Sequence, residues 1–178
     1  MQAAINLFYR VLEGLIVVAL AGMVVMVFGN VVLRYGFNSG IAVSEELARF
    51  FFVWLSFIGA VIAFREYSHL GIETFVQRLS RRGRLICMGI SNVIVAGCAA
   101  VFFWGTWQQL DINISMAAPV TGLSMGWVYG VGLFSGGGIC LIAIERVIRV
   151  ITGRTTEEEI SAFCGEGEAA AMMREGTQ

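Results

Sequence analysis

With 178 residues, 57% of them hydrophobic and 14% charged, and a mean hydropathy of +0.77, the chain is too apolar for an ordinary soluble domain, where charged residues run to about a quarter. Its formal net charge of −1 excludes a nucleic-acid partner, which would demand a basic surface. A single histidine excludes a bis-histidine haem site within the chain and argues against a zinc cluster, so no cofactor is expected.

Four apolar runs, 11–33, 45–64, 85–108 and 124–147, reach the roughly 20 residues that a helix needs to cross a bilayer. The expected fold is an all-α membrane protein with four transmembrane helices. In the first run Ala19-Leu20-Ala21 looks like a signal cleavage site, but the apolar stretch continues from Gly22 to Leu33, so it is read as a retained signal anchor. Glu13 is similar in kind to the membrane carboxylate of small proton-coupled exporters. It lies within a turn of Arg10, however, where an interfacial i,i+3 ion pair is the expected arrangement. Asn30 and Arg34 stand i,i+4 at the far end of this helix, and Gly36-Phe37-Asn38-Ser39-Gly40 reads as a tight turn into the next.

The second helix opens with Ser44, a candidate N-cap, and with Glu45 and Glu46, which suit the positive end of the helix dipole. Glu45 and Arg49 are spaced i,i+4 and Glu46 and Arg49 i,i+3, so the acids are expected to neutralise the arginine on one face. Two readings of this cluster stand: a charged helix end at headgroup level, or a buried polar joint to the first helix or to another subunit. Trp54, about a turn deeper, is read as packing. Arg65 and His69 flank the exit at i,i+4, with His69 taken as a structural residue.

Residues 68–84 place Leu70, Ile72, Phe75, Val76 and Leu79 largely on one side at helical spacing, the pattern of an amphipathic helix lying in the membrane interface. The third helix carries Gly89, Ala96, Gly97 and Ala100, and the fourth carries Gly126-x-x-x-Gly130 and Gly132-x-x-x-Gly136. These small residues suit close helix packing, within the subunit rather than against a partner. Residues 111–123, with the sole proline Pro119, are expected to form a loop. Glu145 and Arg149 repeat the i,i+4 pairing at the end of the fourth helix. Two domains are expected: 1–151 as the membrane bundle and 152–178 as an acidic, largely disordered tail, in which Thr155-x-x-Glu158 or Thr156-x-x-Glu159 can cap a short helix. Cys87, Cys98, Cys140 and Cys164 form no CxxC pair, so no disulfide framework is expected.

All twelve basic residues are arginine. Arg10, then Arg65, Arg78, Arg81, Arg82 and Arg84, then Arg146, Arg149, Arg154 and Arg174 alternate with segments that hold only Arg34, apart from Arg49 inside the second helix. The positive-inside rule therefore puts both termini and the middle connection in the cytoplasm, and the Glu45, Glu46, Arg49 cluster at the periplasmic end. Mid-span polar side chains are few, chiefly Ser56, Asn92 and Ser135, and no helix is broken by proline. A solute site normally needs both features. No catalytic set is present, so the expected class is an accessory or scaffold subunit and not an enzyme. The second reading, from a different class, is a four-helix quinone or haem anchor or oxidoreductase subunit.

Asn30-x-x-x-Arg34-Tyr35-x-Phe37-Asn38, Glu45-Glu46-Leu47-Ala48-Arg49, Trp54, Gly59-Ala60 and Arg65-x-x-x-His69-x-x-Ile72 follow one another in an ordered spacing over about forty residues. This pattern resembles the small, DctQ-like membrane subunit of the tripartite ATP-independent periplasmic (TRAP) transporters, whose length and four spans the whole chain matches. Val43 is a departure, standing where the pattern has an aromatic residue before the acidic pair. The resemblance implies ion-driven uptake of organic acids across the bacterial inner membrane. It implies a soluble periplasmic solute-binding protein that captures the solute, and a large membrane subunit that binds and moves it. The small subunit would brace the large one amid membrane lipids. It further implies that Arg34, Asn38, Glu45, Glu46 and Arg49 support the outer hairpin or a docking surface.

Overall fold

The computed structural model describes residues 2–66 and 79–163. Within them the chain is helical: α1 is Gln2–Gly36, α2 Ala42–Arg65, α3 Arg81–Ser115, α4 Met125–Tyr129, α5 Val131–Ile151 and α6 Glu157–Phe163. Four stretches are long and apolar enough to cross a membrane, namely Leu7–Gly36, Ala42–Arg65, Arg81–Ser115 and Met125–Ile151. At most 33% of the apolar window of any span is buried inside the chain. Val18 and Val25 are each 71% exposed. A water-soluble protein could not leave so much apolar side chain uncovered, and the structure is that of a multi-pass membrane protein.

Local chemistry explains the ends of the helices. Asn38, at φ 54°, is the residue with left-handed backbone after α1, while Phe37 N–H and Ser39 N–H both donate to the Leu33 carbonyl, at 3.0 and 3.1 Å. Asparagine tolerates that conformation better than other non-glycine residues, so the turn relies on Asn38 and not on the flanking Gly36 and Gly40. At the end of α5, Gly153 takes φ 67°, and Gly153 N–H and Arg154 N–H close back on the Val150 and Arg149 carbonyls at 3.3 and 3.0 Å, a glycine C-cap. The second of the two expected caps forms before α6: Glu159 N–H donates to Thr156 Oγ1 at 3.3 Å, and Thr156 N–H donates to Glu159 Oε2 at 3.2 Å.

Two expectations are corrected here. The loop expected over 111–123 begins later, because α3 continues to Ser115. Residues 109–115 are polar enough to end an apolar run but contain neither glycine nor proline, so nothing ends the helix before the approach to Pro119. The fourth span is not one uninterrupted helix from Ser124. Ser124 is the N-cap of α4, its Oγ accepting from Gly126 N–H at 3.3 Å, and Gly130 separates α4 from α5 while keeping helical dihedrals, φ −58° and ψ −26°. The interfacial helix expected over 68–84 falls mostly outside the described residues, and its last residues, from Arg81, are the first turn of α3. Cys164 and the rest of the acidic tail also lie outside them.

Two compact units divide the chain, Met1–Ile62 with Phe102–Ser135, and Ala63–Val101 with Gly136–Gln178. The first is centred on Leu12, Ile58, Ile62 and Val131, with Trp54 and Phe57 packed against them. Its glycines allow close approach: a Cβ on Gly126 would sit 2.7 Å from Ile114 Cγ1 and 3.2 Å from the Ile114 Cα, and one on Gly132 would sit 3.3 Å from Thr106 Cγ2. The small residues of α4 and α5 thus serve packing against α3 within the chain. The second unit is centred on Met88, Ile160 and Phe163, flanked by Leu85, Cys87 and Val150, so α6 is docked by its apolar face.

Candidate functional site: the outer hairpin and its polar clamps

The turn between α1 and α2 brings Asn30 opposite the start of α2. Asn30 is 7% exposed, and both ends of its amide are used: Nδ2 donates to Glu45 Oε1 at 2.9 Å, and Oδ1 accepts from Ile41 N–H at 2.7 Å. The second bond satisfies an amide at the mouth of α2 that has no partner in its own helix. Ser44, expected to cap α2, does something else: the helix already begins at Ala42, and Ser44 Oγ donates to the Met26 carbonyl of α1 at 2.9 Å. The cap comes from across the hairpin and the serine ties the two helices together. Arg34 Nη1 approaches Glu45 Oε1 to 3.9 Å, with both side chains more than half exposed, a contact that contributes little to stability.

Glu46 is the buried member of the acidic pair, at 4% exposure. Its carboxylate leaves α2 and accepts two main-chain amides of the loop between α3 and α4, Thr121 N–H at 2.6 Å and Val120 N–H at 3.3 Å. That loop is closed on itself by Ala118 N–H to the Leu123 carbonyl at 2.7 Å and Met125 N–H to the Met116 carbonyl at 2.9 Å, with Gly122 turning at φ 70°. Consecutive amides pointing at one carboxylate are a small anion nest, and here the anion is supplied by the protein. Glu46 is therefore a strut between α2 and a loop more than seventy residues away.

Neither Glu45 nor Glu46 forms the expected ion pair with Arg49, which acts on Glu46 only as a nearby charge. Both acids are drawn away, one to Asn30 and one to the loop amides, and Arg49 is exposed with no ion pair among the described residues. The physical reason is that a carboxylate gains more from directed amide donors at hydrogen-bond distance than from an exposed i,i+4 cation. The expected Arg10–Glu13 pair is also not formed; both side chains are exposed and have no ion pair among the described residues. The Glu145–Arg149 pair does form, at 2.6 Å, and Arg149 holds Glu159 of α6 at the same distance.

The remaining sequence candidates are dispersed. Trp54 packs on the Leu12, Ile58, Val131 core. Asn38 is exposed in the turn, Arg65 lies at the end of α2, and His69 lies outside the described residues. Sequence reasoning missed Arg146, which is only 8% exposed. Its Nη2 donates to the Arg65 carbonyl at 2.7 Å and its guanidinium lies 4.9 Å from the centre of the Phe64 ring. It caps the carbonyl end of α2, where the helix dipole favours a cation. The available signal was its i,i+3 spacing from Ala143, a small residue that lets another helix approach the same face of α5.

The mid-span polar groups bond to carbonyls inside the chain. Ser56 Oγ donates to Phe52 O at 2.8 Å, Asn92 Nδ2 to Met88 O at 2.7 Å, and Ser135 Oγ to Phe57 O at 3.0 Å. Replacing Asn30 by alanine removes two bonds, one of them to a carboxylate, and is expected to cost about 2 kcal/mol. Thermal unfolding of the purified variant checks this, and an unchanged Tm would show that the hairpin does not depend on the Asn30 amide.

The profile of the tripartite ATP-independent periplasmic transporter DctQ component matches residues 23–153. Two proteins of Haemophilus influenzae named as TRAP transporter small permease proteins are similar to the chain. One is 38% identical over 151 residues, which is 85% of this chain and 94% of that protein. The other is 30% identical over 140 residues, 79% and 85% of the two chains. An isethionate TRAP transporter permease named DctMQ, from Oleidesulfovibrio alaskensis, is 32% identical over 79 residues, covering 44% of this chain but 12% of that much longer protein. The four apolar helices, the polar hairpin between the first two and these matches together establish that the chain belongs to the DctQ family, as a small permease subunit of a TRAP transporter.

Proposed function

We propose that the chain is the stationary brace of a secondary, ion-driven TRAP transporter that takes up an organic acid across the bacterial inner membrane. Its domain 1–151 spans the membrane with both termini cytoplasmic, and residues 152–178 are a cytoplasmic acidic tail. The periplasmic face consists of the α1–α2 turn with Asn30, Arg34, Asn38 and Glu45, and of the loop that Glu46 holds. It steadies the large membrane subunit and helps receive the periplasmic solute-binding protein. Arg49, exposed and without an ion pair among the described residues, is the contact offered to the large subunit, with Trp54, Arg65 and His69 supporting the shape of α2 and its exit.

One observation carries this reading. Ser56, Asn92 and Ser135, the principal polar groups of the mid-spans, are directed to carbonyls within the chain, and among the described residues no carboxylate or cation is aimed into a mid-membrane cavity where a solute would need one. The family's pairing with a large membrane subunit is in keeping with it, as is the DctMQ relative, a longer permease with a segment similar to part of this chain. That relative is named for isethionate, an organic acid.

The test uses the full chain and its large subunit, co-expressed and reconstituted into liposomes. Uptake is expected only when both subunits and the solute-binding protein are present, and Arg49→Glu is expected to lower recovery of the complex roughly tenfold. Uptake by the chain alone would sink the scaffold reading, and a normally assembled, normally active Arg49→Glu complex would remove Arg49 from the interface.

A further inference from the structure

The first turn of α3 carries Arg81, Arg82 and Arg84 and no acidic residue. Two of these have partners: Arg81 pairs with Glu157 at 2.5 Å, and Arg84 Nε donates to the Leu79 carbonyl at 3.2 Å. Arg82 is exposed and makes no ion pair or hydrogen bond among the described residues. It stands at one end of a groove of about 610 Å³ whose other walls are entirely apolar.

The groove follows one face of α3. Its lining recurs every three to four residues, from Arg82 through Leu85, Gly89 and Val93 to Ile94, with Val147 and Val150 of α5 as the facing wall. Gly89 forms the floor; even a Cβ there would lie 3.5 Å from Val150 Cγ1. Twelve residues of helix span about 18 Å, close to the roughly 15 Å depth of one hydrocarbon leaflet. The cation sits at the end of this slot and not along its length.

We infer that this groove is a binding site for an anionic phospholipid, with the phosphate on Arg82 and an acyl chain lying between α3 and α5. The shape and the charge argue together. An amphiphile with one anionic head and a long hydrocarbon tail satisfies both the guanidinium and the apolar walls, and basic pockets between transmembrane helices bind such headgroups. A helix of a partner protein would have to bring an acid to the level of Arg82 as well as an apolar ridge that matches the groove. A zwitterionic lipid carries its own ammonium beside the phosphate and so gains less from Arg82. The inference is independent of the transporter assembly, since it rests on α3 and α5 alone.

The experiment is native mass spectrometry of the full chain, delipidated in detergent and titrated with phosphatidylglycerol or phosphatidylcholine. Wild type is expected to retain one phosphatidylglycerol with about fivefold preference, the factor that corresponds to ~1 kcal/mol for one basic residue at an anionic headgroup. Arg82→Gln is expected to abolish the preference while still binding lipid. Val93→Trp, which fills the slot from an exposed position, is expected to lower retention of both lipids. Inorganic phosphate at millimolar concentration is expected not to displace the lipid, because it cannot use the apolar walls. Equal retention of the two lipids by wild type, an undiminished preference in Arg82→Gln, or displacement by inorganic phosphate would each overturn the site. So would loss of the bound lipid when the large subunit is present, which would assign the groove to that subunit.

Discussion

Replacing Glu46 with alanine is expected to release the loop between α3 and α4 while leaving the four spans in place. The carboxylate is the acceptor for both Val120 N–H and Thr121 N–H, at 3.3 and 2.6 Å, and the side chain is 4% exposed. Alanine removes both acceptors at once, so two amides that share one anion lose it together. Hydrogen exchange at these two amides is expected to rise by roughly tenfold or more, the signature of a loop whose local opening has become easier. Exchange in the interior of α1 should not change, because Asn30 and Glu45 keep the hairpin closed by separate bonds. Glu46→Gln is expected to lie between the two, since its amide oxygen still accepts but carries no charge. Unchanged exchange in the alanine variant would mean that the internal bonds of the loop, from Ala118 to Leu123 and from Met116 to Met125, hold it without the strut.

The second large effect is expected at Arg146. Its guanidinium is nearly buried, donates to the carbonyl of Arg65 at 2.7 Å and lies over the ring of Phe64 at 4.9 Å. Leucine in its place keeps apolar bulk but leaves the last carbonyls of α2 without their cation. A charge-assisted hydrogen bond and a desolvated cation–π contact together suggest a loss of about 3 kcal/mol. For a chain of this size that corresponds to a fall in Tm of roughly 6–12 °C. Arg146→Lys is expected to recover only part of it, since an ammonium keeps the charge but not the planar fork that bonds the carbonyl and stacks on the ring at the same time. Thermal unfolding of the detergent-purified variants reads both. A leucine variant as stable as wild type would show that the buried arginine is offset by its own desolvation cost.

These two residues also mark where reading from sequence stopped. The four spans were legible because crossing a membrane is a matter of local apolar length, and the hairpin pairing of α1 with α2 because a five-residue turn leaves its flanking helices little choice but to lie side by side. Within that hairpin the closeness of Asn30 and Arg34 to the acids followed from the turn itself. The partners of the acids did not. Spacing within one helix nominates Arg49 for both, whereas Glu46 finds its donors 74 and 75 residues further on. The extent of α3 was underestimated for a related reason. Polarity ends an apolar run, but a helix ends only where backbone bonds can no longer be made, and Gln109, Asp111 and Asn113 each still supply a backbone donor and acceptor to α3.

Composition, helix number and family motif are carried by the order of residues along the chain, so the sequence alone determined that this is a four-span subunit of the DctQ family. What the tertiary structure decided is how its few charges are spent. Glu46 became an internal strut, Arg146 a cap on α2, Ser44 a tie to α1, and Arg49 and Arg82 were left facing outward. In an apolar medium each buried polar group must find a partner somewhere in three dimensions, and the one it finds depends on which backbone donors and acceptors the packing brings within 3 Å or so. Sequence separation has no bearing on that distance once the helices have packed.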